Sequence, residues 1–218
     1  YYNYMNFLNI LSKKASRKNL YFLIKTELKK IKDINCLNIG AGGDIETLVK
    51  NNVNSYYSID IDLKRKPNEV NDVCSENFKI NYTPNLICAF EVLEHVKNPF
   101  KAIDNIYSTL KKNDICLAST PFCFHIHDEP NDYFRYTEYG LKHLFNKFSE
   151  VQITRRNGWL ECIFVNLMRL DKENKFFTRV LGKFFIILYW LSLPLILLLQ
   201  KLFKSEKITT GYFIFARK

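Results

Sequence analysis

Asn35-Cys-Leu-Asn-Ile-Gly-Ala-Gly-Gly-Asp44 is the stretch on which the fold turns. Cys36 to Ile39 is a short apolar run and predicts a buried strand. Gly40-Ala-Gly-Gly43 breaks it, and Asp44 stands where a side chain caps a following helix, through about Asn51. A strand that stops on glycines and re-enters as a helix opens a β-α unit. Upstream, Leu20, Leu23, Ile24, Leu28 and Ile31 recur at intervals of three and four, which predicts a helix over Asn19–Ile34. Downstream, Ser55–Ile61, Asn85–Phe90, Ile115–Ser119, Glu150–Arg155 and Gly211–Ala216 read as strands. Between them Pro99–Leu110 is a helix opened by proline, and Thr137 caps another that runs to Phe145. Strands alternating with helices predict a parallel, doubly wound α/β sheet. Ligands of such sheets bind at the carboxyl ends of the strands.

The 218 residues are 47% hydrophobic and 25% charged, enough for one core and too apolar for a disordered chain. Seven glycines and six prolines exclude collagen-like and low-complexity classes. None of the six cysteines forms C-x-x-C, so zinc-finger spacing is absent and a reducing, cytoplasmic compartment is expected. Tyr1 to Leu11 lacks a signal-peptide pattern. The net charge of +10 is uneven: residues 1–35 carry 8 basic and 2 acidic side chains, 36–158 carry 14 and 16, and 159–218 carry 10 and 4. A nucleic-acid enzyme concentrates positive charge around its site, so a neutral centre between basic ends argues against nucleic acid and for an anionic membrane surface.

Gly40 and Gly42 follow the first strand, where bare backbone lets N–H groups approach a ligand. Asp60 ends the second strand, eighteen residues after Gly42, where a carboxylate accepts from both hydroxyls of a ribose. A dinucleotide fingerprint needs a third glycine, and Ile45 occupies that position. S-adenosylmethionine, which has no pyrophosphate, does not need it. Asp72 then stands where a side chain can accept from an adenine amino group.

Phe90-Glu-Val-Leu-Glu-His-Val96 and Leu110-Lys-Lys-Asn-Asp-Ile-Cys-Leu-Ala-Ser-Thr-Pro121 carry a family resemblance. With His127-x-x-Pro130-x-Asp132-Tyr133-x-Arg135-Tyr136-Thr137, the chain resembles class I S-adenosylmethionine-dependent methyltransferases, in particular those often encoded with bacterial surface-polysaccharide genes. The resemblance covers Asn35 to Arg156 and the last strand. It implies a Rossmann-like, doubly wound, seven-stranded, mostly parallel sheet with an antiparallel last strand, extended by a C-terminal apolar helical insertion. As a single domain of residues 1–218, the chain would comprise a helical segment (1–34), a cofactor-binding core (35–158), the apolar insertion (159–207) and the final strand (208–218).

The resemblance also implies roles. Gly40, Ala41 and Gly42 would line the methionine and ribose, Asp60 would hold the ribose hydroxyls, Ile61 would lie against adenine, Asp72 and Val73 would hold the adenine edge, and Phe90 and Glu91 would close the site. The group usually carries an acid two residues before the first glycine. Asn38 stands there, able to bond to backbone but not to offer charge.

Methyl transfer from a sulfonium is an in-line displacement that gains mostly from alignment. A hydroxyl acceptor must also lose its proton. His127 is the candidate base, with His125 the second choice. Asp132 would orient the base or the acceptor, and Arg135 would bind an anionic acceptor such as a phosphate-linked sugar. Glu91, Glu94 and His95 are three and four residues apart, so on a helix all three would reach one cation. Their spacing is similar to that of ubiquinone-biosynthesis and small-RNA 2′-O-methyltransferases, a resemblance that implies magnesium.

Phe184 to Leu199 is free of charge. A helix of that length spans about 24 Å, against about 30 Å of bilayer core, and Pro194 interrupts it. A single crossing would also leave the last strand on the wrong side of the membrane. An interfacial, peripheral attachment to the cytoplasmic membrane is expected. The expected function is O-methylation of a glycan or lipid-linked glycan. The alternatives are O-methylation of a quinone precursor or other small lipid with a divalent metal, or a non-catalytic membrane scaffold. The oligomeric state stays open.

Overall fold

Cys36 to Ile39 is buried on both faces, the signature of a strand in the middle of a parallel sheet. In the computed structural model, which describes residues 2–218 and side chains from Phe7 onward, that strand is the third of seven. Tyr1, where the stretch read as free of a signal peptide begins, lies outside the described residues. The helices are α1 (Tyr2–Leu28), α2 (Gly43–Lys50), α3 (Pro99–Thr109), α4 (Glu138–Leu144), α5 (Trp159–Met168) and α6 (Phe176–Leu202). The strands are β1 (Asn35–Ile39), β2 (Ser55–Asp60), β3 (Glu69–Val70), β4 (Leu86–Phe90), β5 (Ile115–Pro121), β6 (Glu150–Arg155) and β7 (Gly211–Arg217).

The sheet runs β3-β2-β1-β4-β5-β7-β6. β1 pairs in parallel with β2, Asn38 beside Ser58, and with β4, Asn38 beside Cys88. β3 adds to β2 and β5 to β4, also in parallel. β7 runs the other way. Lys218, past its end, donates its N–H to the Asp114 carbonyl before the start of β5, and Ser149, before the start of β6, donates to the Arg217 carbonyl. The seven-stranded, mostly parallel sheet with its antiparallel last strand matches the expected fold.

The chain divides into two compact units. Residues 21–121, 127–154 and 212–218 form the sheet unit, in which β1, β4, β5 and β7 are lined almost entirely by buried side chains. β4 and β5 have no exposed residue at all.

Residues 1–20, 122–126 and 155–211 form a helical unit. Its core joins Leu8 and Ala15 of α1 to Val165 and Met168 of α5 and to Ile186, Tyr189 and Ile196 of α6. Glu161 is 4% exposed among them, and its carboxylate accepts from Lys18 Nζ (2.8 Å), Tyr189 OH (3.2 Å) and Gln200 Nε2 (3.3 Å). Gly182 lets α6 approach closely: a Cβ there would lie 2.1 Å from the Asp171 backbone nitrogen.

Several sequence expectations need correction. The N-terminal helix starts at Tyr2, not Asn19, and ends at Leu28, because Leu8 and Ala15 bury against segments more than 150 residues away. Asp44 does not cap α2. The cap position is Gly42, with no side-chain bond, and Asp44 lies in the first turn, where its charge still favours the helix N-terminus. Pro194 does not interrupt the apolar segment. It lies inside α6, whose 27 residues span about 40 Å. A proline within a helix costs about 3 kcal/mol. Each fully buried Ile or Tyr of α6 offsets a comparable amount. The estimate that the segment is too short to cross a bilayer is thereby overturned.

Candidate active site

Four loops leave the carboxyl ends of β1, β2, β4 and β5. At the tip of β1 the chain turns through Gly40, Gly42 and Gly43, with φ of 85°, 101° and 81°. These left-handed values favour glycine. A Cβ on Gly40 would lie 2.7 Å from Val92 Cγ2, whereas one on Gly43 would meet nothing within 4 Å. The turn therefore packs tightly on the β4 loop at one end and opens at the other. Asn38 is buried, and its Nδ2 donates to the Gly40 carbonyl at 2.7 Å. A carboxylate at this position could not make that bond. The Gly42 N–H donates to Glu46, which also accepts from Tyr56 OH at 2.9 Å.

Asp60 connects β2 to this turn. Its Oδ2 accepts from the Ala41 N–H at 2.7 Å and its Oδ1 from the Asp62 N–H at 2.8 Å. Each carboxylate oxygen keeps a second lone pair for a hydroxyl. Arg65 bridges the same elements, with Nη1 donating to the Ala41 carbonyl at 3.2 Å and Nε 4.0 Å from Asp60. Ile61, next in the chain, is 72% exposed, an apolar surface beside the carboxylate. Asp72 follows β3, where Asp60 pairs with Val70, and its Oδ1 accepts from the Cys74 N–H at 2.8 Å to close a turn. Val73 is buried, with its carbonyl held by Asn105 Nδ2 at 2.8 Å. Phe90 is buried at the end of β4, stacked on Phe213 with ring centroids 6.2 Å apart.

Glu91 takes a left-handed φ of 56°, and its Oε1 accepts from Ser119 Oγ at 2.8 Å. This residue ends the strand in a turn rather than a helix. The helical spacing expected for Glu91, Glu94 and His95 therefore does not apply, and Glu91 does not join the other two. His127 takes its place: ligand atoms of Glu94, His95 and His127 all lie within 4.8 Å of one another. No local pattern signals this cluster, because His127 comes from the loop after β5.

That loop is built around Asp132. Arg135 holds it with two bonds of 2.5 and 2.6 Å, and it accepts the His127 N–H at 2.9 Å. The Arg135 guanidinium holds its carboxyl well below the usual carboxylate range, at about 2. His127 Nδ1 lies 3.4 Å from the same carboxylate. Arg135 also donates to the Phe134 carbonyl, so its first task here is to position Asp132. Tyr136 OH donates to the Leu93 carbonyl at 2.7 Å, and the Tyr133 N–H donates to the Glu94 carbonyl at 2.8 Å, tying the β5 loop to the β4 loop. His125 belongs to the helical unit, its ring 4.3 Å from that of Phe124. A cleft of about 450 Å³ between Glu27, Asn85, Asn113 and Arg217 lies at the opposite ends of the strands, away from these groups.

The glycine turn, open over Gly43 and bordered by the Asp60 carboxylate and exposed Ile61, fits a nucleoside-bearing ligand. The residues expected to hold S-adenosylmethionine, Asn38, Gly40, Ala41, Gly42, Asp60, Ile61, Asp72, Val73, Phe90 and Glu91, all lie at or just past the carboxyl ends of β1 to β4. The sequence pattern of the methyltransferase domain family matches residues 11–159. The fold resembles the crystal structure of a SAM-dependent methyltransferase from Archaeoglobus fulgidus, with 17% identity, 93% of this chain and 95% of that one covered and a TM-score of 0.60. It also resembles phosphoethanolamine N-methyltransferase 2 of Haemonchus contortus, solved with S-adenosyl-L-methionine, with 16% identity and a TM-score of 0.55. There the match covers 92% of this chain but 52% of the other, so the chain spans about half of that protein. The N-methyltransferase NodS of Bradyrhizobium japonicum WM9 matches with 14% identity, 92% and 98% coverage and a TM-score of 0.52. No curated protein sequence matches the chain.

Proposed function

The chain belongs to the methyltransferase domain family and is an S-adenosylmethionine-dependent enzyme, and from that premise we propose that it methylates a hydroxyl oxygen of a glycan or lipid-linked glycan intermediate at a membrane surface. The observation that carries the reading is His127. Its Nδ1 faces Asp132, and Arg135 keeps that carboxylate charged. An ionised acceptor on Nδ1 fixes the imidazole with its proton on that nitrogen and leaves Nε2 as the base. When bound, S-adenosylmethionine supplies an activated methyl group on a sulfonium. The chain's own part is to hold the ribose at Asp60, to align an acceptor hydroxyl, and to take its proton at His127 Nε2. The resemblance to methyltransferases of surface-polysaccharide genes favours a glycan acceptor.

The helical unit supports the membrane part of the reading. Of the 32 basic and 22 acidic side chains, it carries 14 and 4, while the sheet unit carries 18 and 18. The whole net charge of +10 therefore sits on the unit that also holds α6. One face of α6 is buried through Gly182, Ile186, Tyr189 and Ile196, and the other exposes Phe177, Phe184, Leu191, Leu195, Leu198 and Leu202. By length and composition α6 could cross a bilayer. Its lengthwise packing within the unit favours lying in the interface, with Lys175, Arg179, Lys201 and Lys204 near phosphate groups. The Glu94–His95–His127 cluster favours a second reading, a metal-assisted O-methyltransferase of a quinone precursor or other small lipid.

The test is methyl transfer from radiolabelled S-adenosylmethionine to lipid-linked oligosaccharides and, separately, to free glycans and quinone precursors. A labelled, base-stable methyl ether on a glycan, lost in His127→Ala, supports the proposal. Label on nitrogen, or only on a small aromatic lipid, overturns it.

A further inference from the structure

We propose that Cys123 and Cys162 form a reversible modification site, a thiol pair that a hydroperoxide oxidises to a disulfide. The proposal does not depend on which acceptor is methylated. Cys123 is exposed in the stretch after β5, and Cys162 is 1% exposed on α5. Both belong to the helical unit. Cys162 Sγ donates to the Cys123 carbonyl at 3.9 Å. One amide nitrogen, Asn166 Nδ2, lies 3.8 Å from Cys123 Sγ and 3.7 Å from Cys162 Sγ, so it touches both sulfurs.

Asn166 also holds the frame around them. The same nitrogen donates to the Cys123 carbonyl at 3.0 Å and to the Cys162 carbonyl at 2.9 Å. On its other side, the Cys123 N–H donates to the Thr209 carbonyl at 3.2 Å. The backbone of Cys123 is thus fixed at both ends of the residue, while its exposed side chain can turn about χ1. A disulfide needs its sulfurs about 2.05 Å apart. Rotation of the exposed thiol toward the buried one is the movement required.

Exposure and burial divide the roles. The hydroperoxide reaches Cys123, whose thiolate sulfur attacks one peroxide oxygen. The O–O bond breaks, leaving a sulfenic acid on Cys123 and an alkoxide or hydroxide that takes up the thiol proton. Burial and the neighbouring Cys123 thiol push the Cys162 thiol up, so it stays protonated and out of reach of the oxidant. Beside a sulfenic acid it is the nearest nucleophile. Its sulfur bonds to Cys123 Sγ, the S–O bond breaks, and the hydroxyl leaves as water with the Cys162 proton. Two thiols and one hydroperoxide thus give a disulfide, a water and an alcohol (a second water from hydrogen peroxide). Two electrons pass from the sulfurs to the O–O bond.

Nearness of two thiols is not sufficient. Cys36 Sγ lies 3.7 Å from Cys88 Sγ, but both residues are fully buried on the neighbouring strands β1 and β4, where no oxidant reaches them. Cys123 and Cys162 combine contact with access. In a reducing compartment such a link is transient, formed by peroxide and removed by thiols. Cys123 precedes His127 by four residues in the sequence. The link therefore fastens to α5 the stretch that leads into the His127 loop.

The experiment treats the reduced full chain with hydrogen peroxide, blocks the remaining free thiols, and digests with trypsin without reductant. Mass spectrometry should find residues 113–135 linked to residues 157–169, and dithiothreitol should release them. Cys116 shares the first peptide with Cys123, so the link must vanish in Cys123→Ser. In Cys162→Ala the sulfenic acid on Cys123 has no thiol to react with, and its capture by dimedone should rise at least about tenfold over the wild type. Cys123→Ser alters an exposed side chain and decides the matter even where the buried Cys162→Ala variant fails to fold. Three results overturn the proposal: a wild-type Cys123 that stays a thiol or stops at sulfenic or sulfinic acid, a link that survives Cys123→Ser, or a link that joins other cysteines.

Discussion

The Asp60 carboxylate accepts the Ala41 N–H at 2.7 Å, so the acid that ends β2 also pins the glycine turn that ends β1. One group thus has two separable tasks, holding the turn and offering lone pairs to a ligand. Asp60→Ala removes both and leaves a partly buried amide without its acceptor, at a cost of about 1–3 kcal/mol. Asp60→Asn can keep the bond to Ala41 through its amide oxygen but sets its NH2 group against the Asp62 N–H, so its loss should be about 1 kcal/mol, smaller than that of Ala. Urea unfolding of the two variants measures the difference, and equal losses would show that the bond contributes nothing to the turn.

Gly40 is a tighter constraint than its neighbours. Gly40→Ala imposes a side chain at φ 85° and sets its Cβ 2.7 Å from Val92 Cγ2. The expected loss is about 1–3 kcal/mol. Adding Val92→Ala relieves the contact but not the backbone strain, so the double variant should recover part of the stability. Full recovery would mean that the positive φ costs nothing, and no recovery that Val92 is not the obstacle.

Asp132 makes stability depend on pH. Its carboxyl is lowered from 3.8 to about 2, chiefly by the bonds from Arg135, and its side chain is 3% exposed. A group lowered in the folded state contributes stability that is complete above the unfolded value and is lost as pH falls through the folded value. The contribution is about 2 kcal/mol at neutral pH, disappearing between about pH 4 and pH 2. Asp132→Asn should lower stability by about that amount at pH 7 and flatten the acid limb. Denaturant unfolding from pH 7 to pH 2 reads both, and an unchanged acid limb would remove Asp132 from the account.

The helical unit predicts a lipid preference. Vesicles with about a third anionic lipid should capture the chain in flotation, and neutral vesicles or raised salt should weaken capture. Leu191→Asp and Phe177→Asp place charge on exposed positions of α6 and should reduce capture with little effect on folding. Capture that survives alkaline carbonate extraction would instead indicate a spanning helix.

Where apolar runs carried the signal, the sequence was legible. β6 falls on the residues expected, and the glycine turn and the Thr137 cap lie where the sequence places them. Contacts distant in sequence were not legible. β3 is two residues long and shows no apolar run, so only its pairing with β2 defines it. The start of α1 depends on Leu8 and Ala15 finding α5 and α6. Pro194 lies inside a continuous helix because the packing of α6, invisible in a local pattern, outweighs the proline. In the candidate site, Asp60 and His127 were legible from their places after strands. The cluster of Glu94, His95 and His127 was not, because a left-handed Glu91 turns its segment away from helical spacing and His127 joins from a distant loop.

S-adenosylmethionine binding, measured by calorimetry on the wild type and on Asp60→Asn, tests the central claim most directly. The Asn variant keeps the turn, so a change in affinity reports on the ligand and not on the fold. The account predicts one cofactor bound per wild-type chain and at least about tenfold weaker binding in the variant, the loss of one hydrogen bond to a charged group. A wild-type chain that binds no S-adenosylmethionine, or a variant that binds it equally well, would contradict the account.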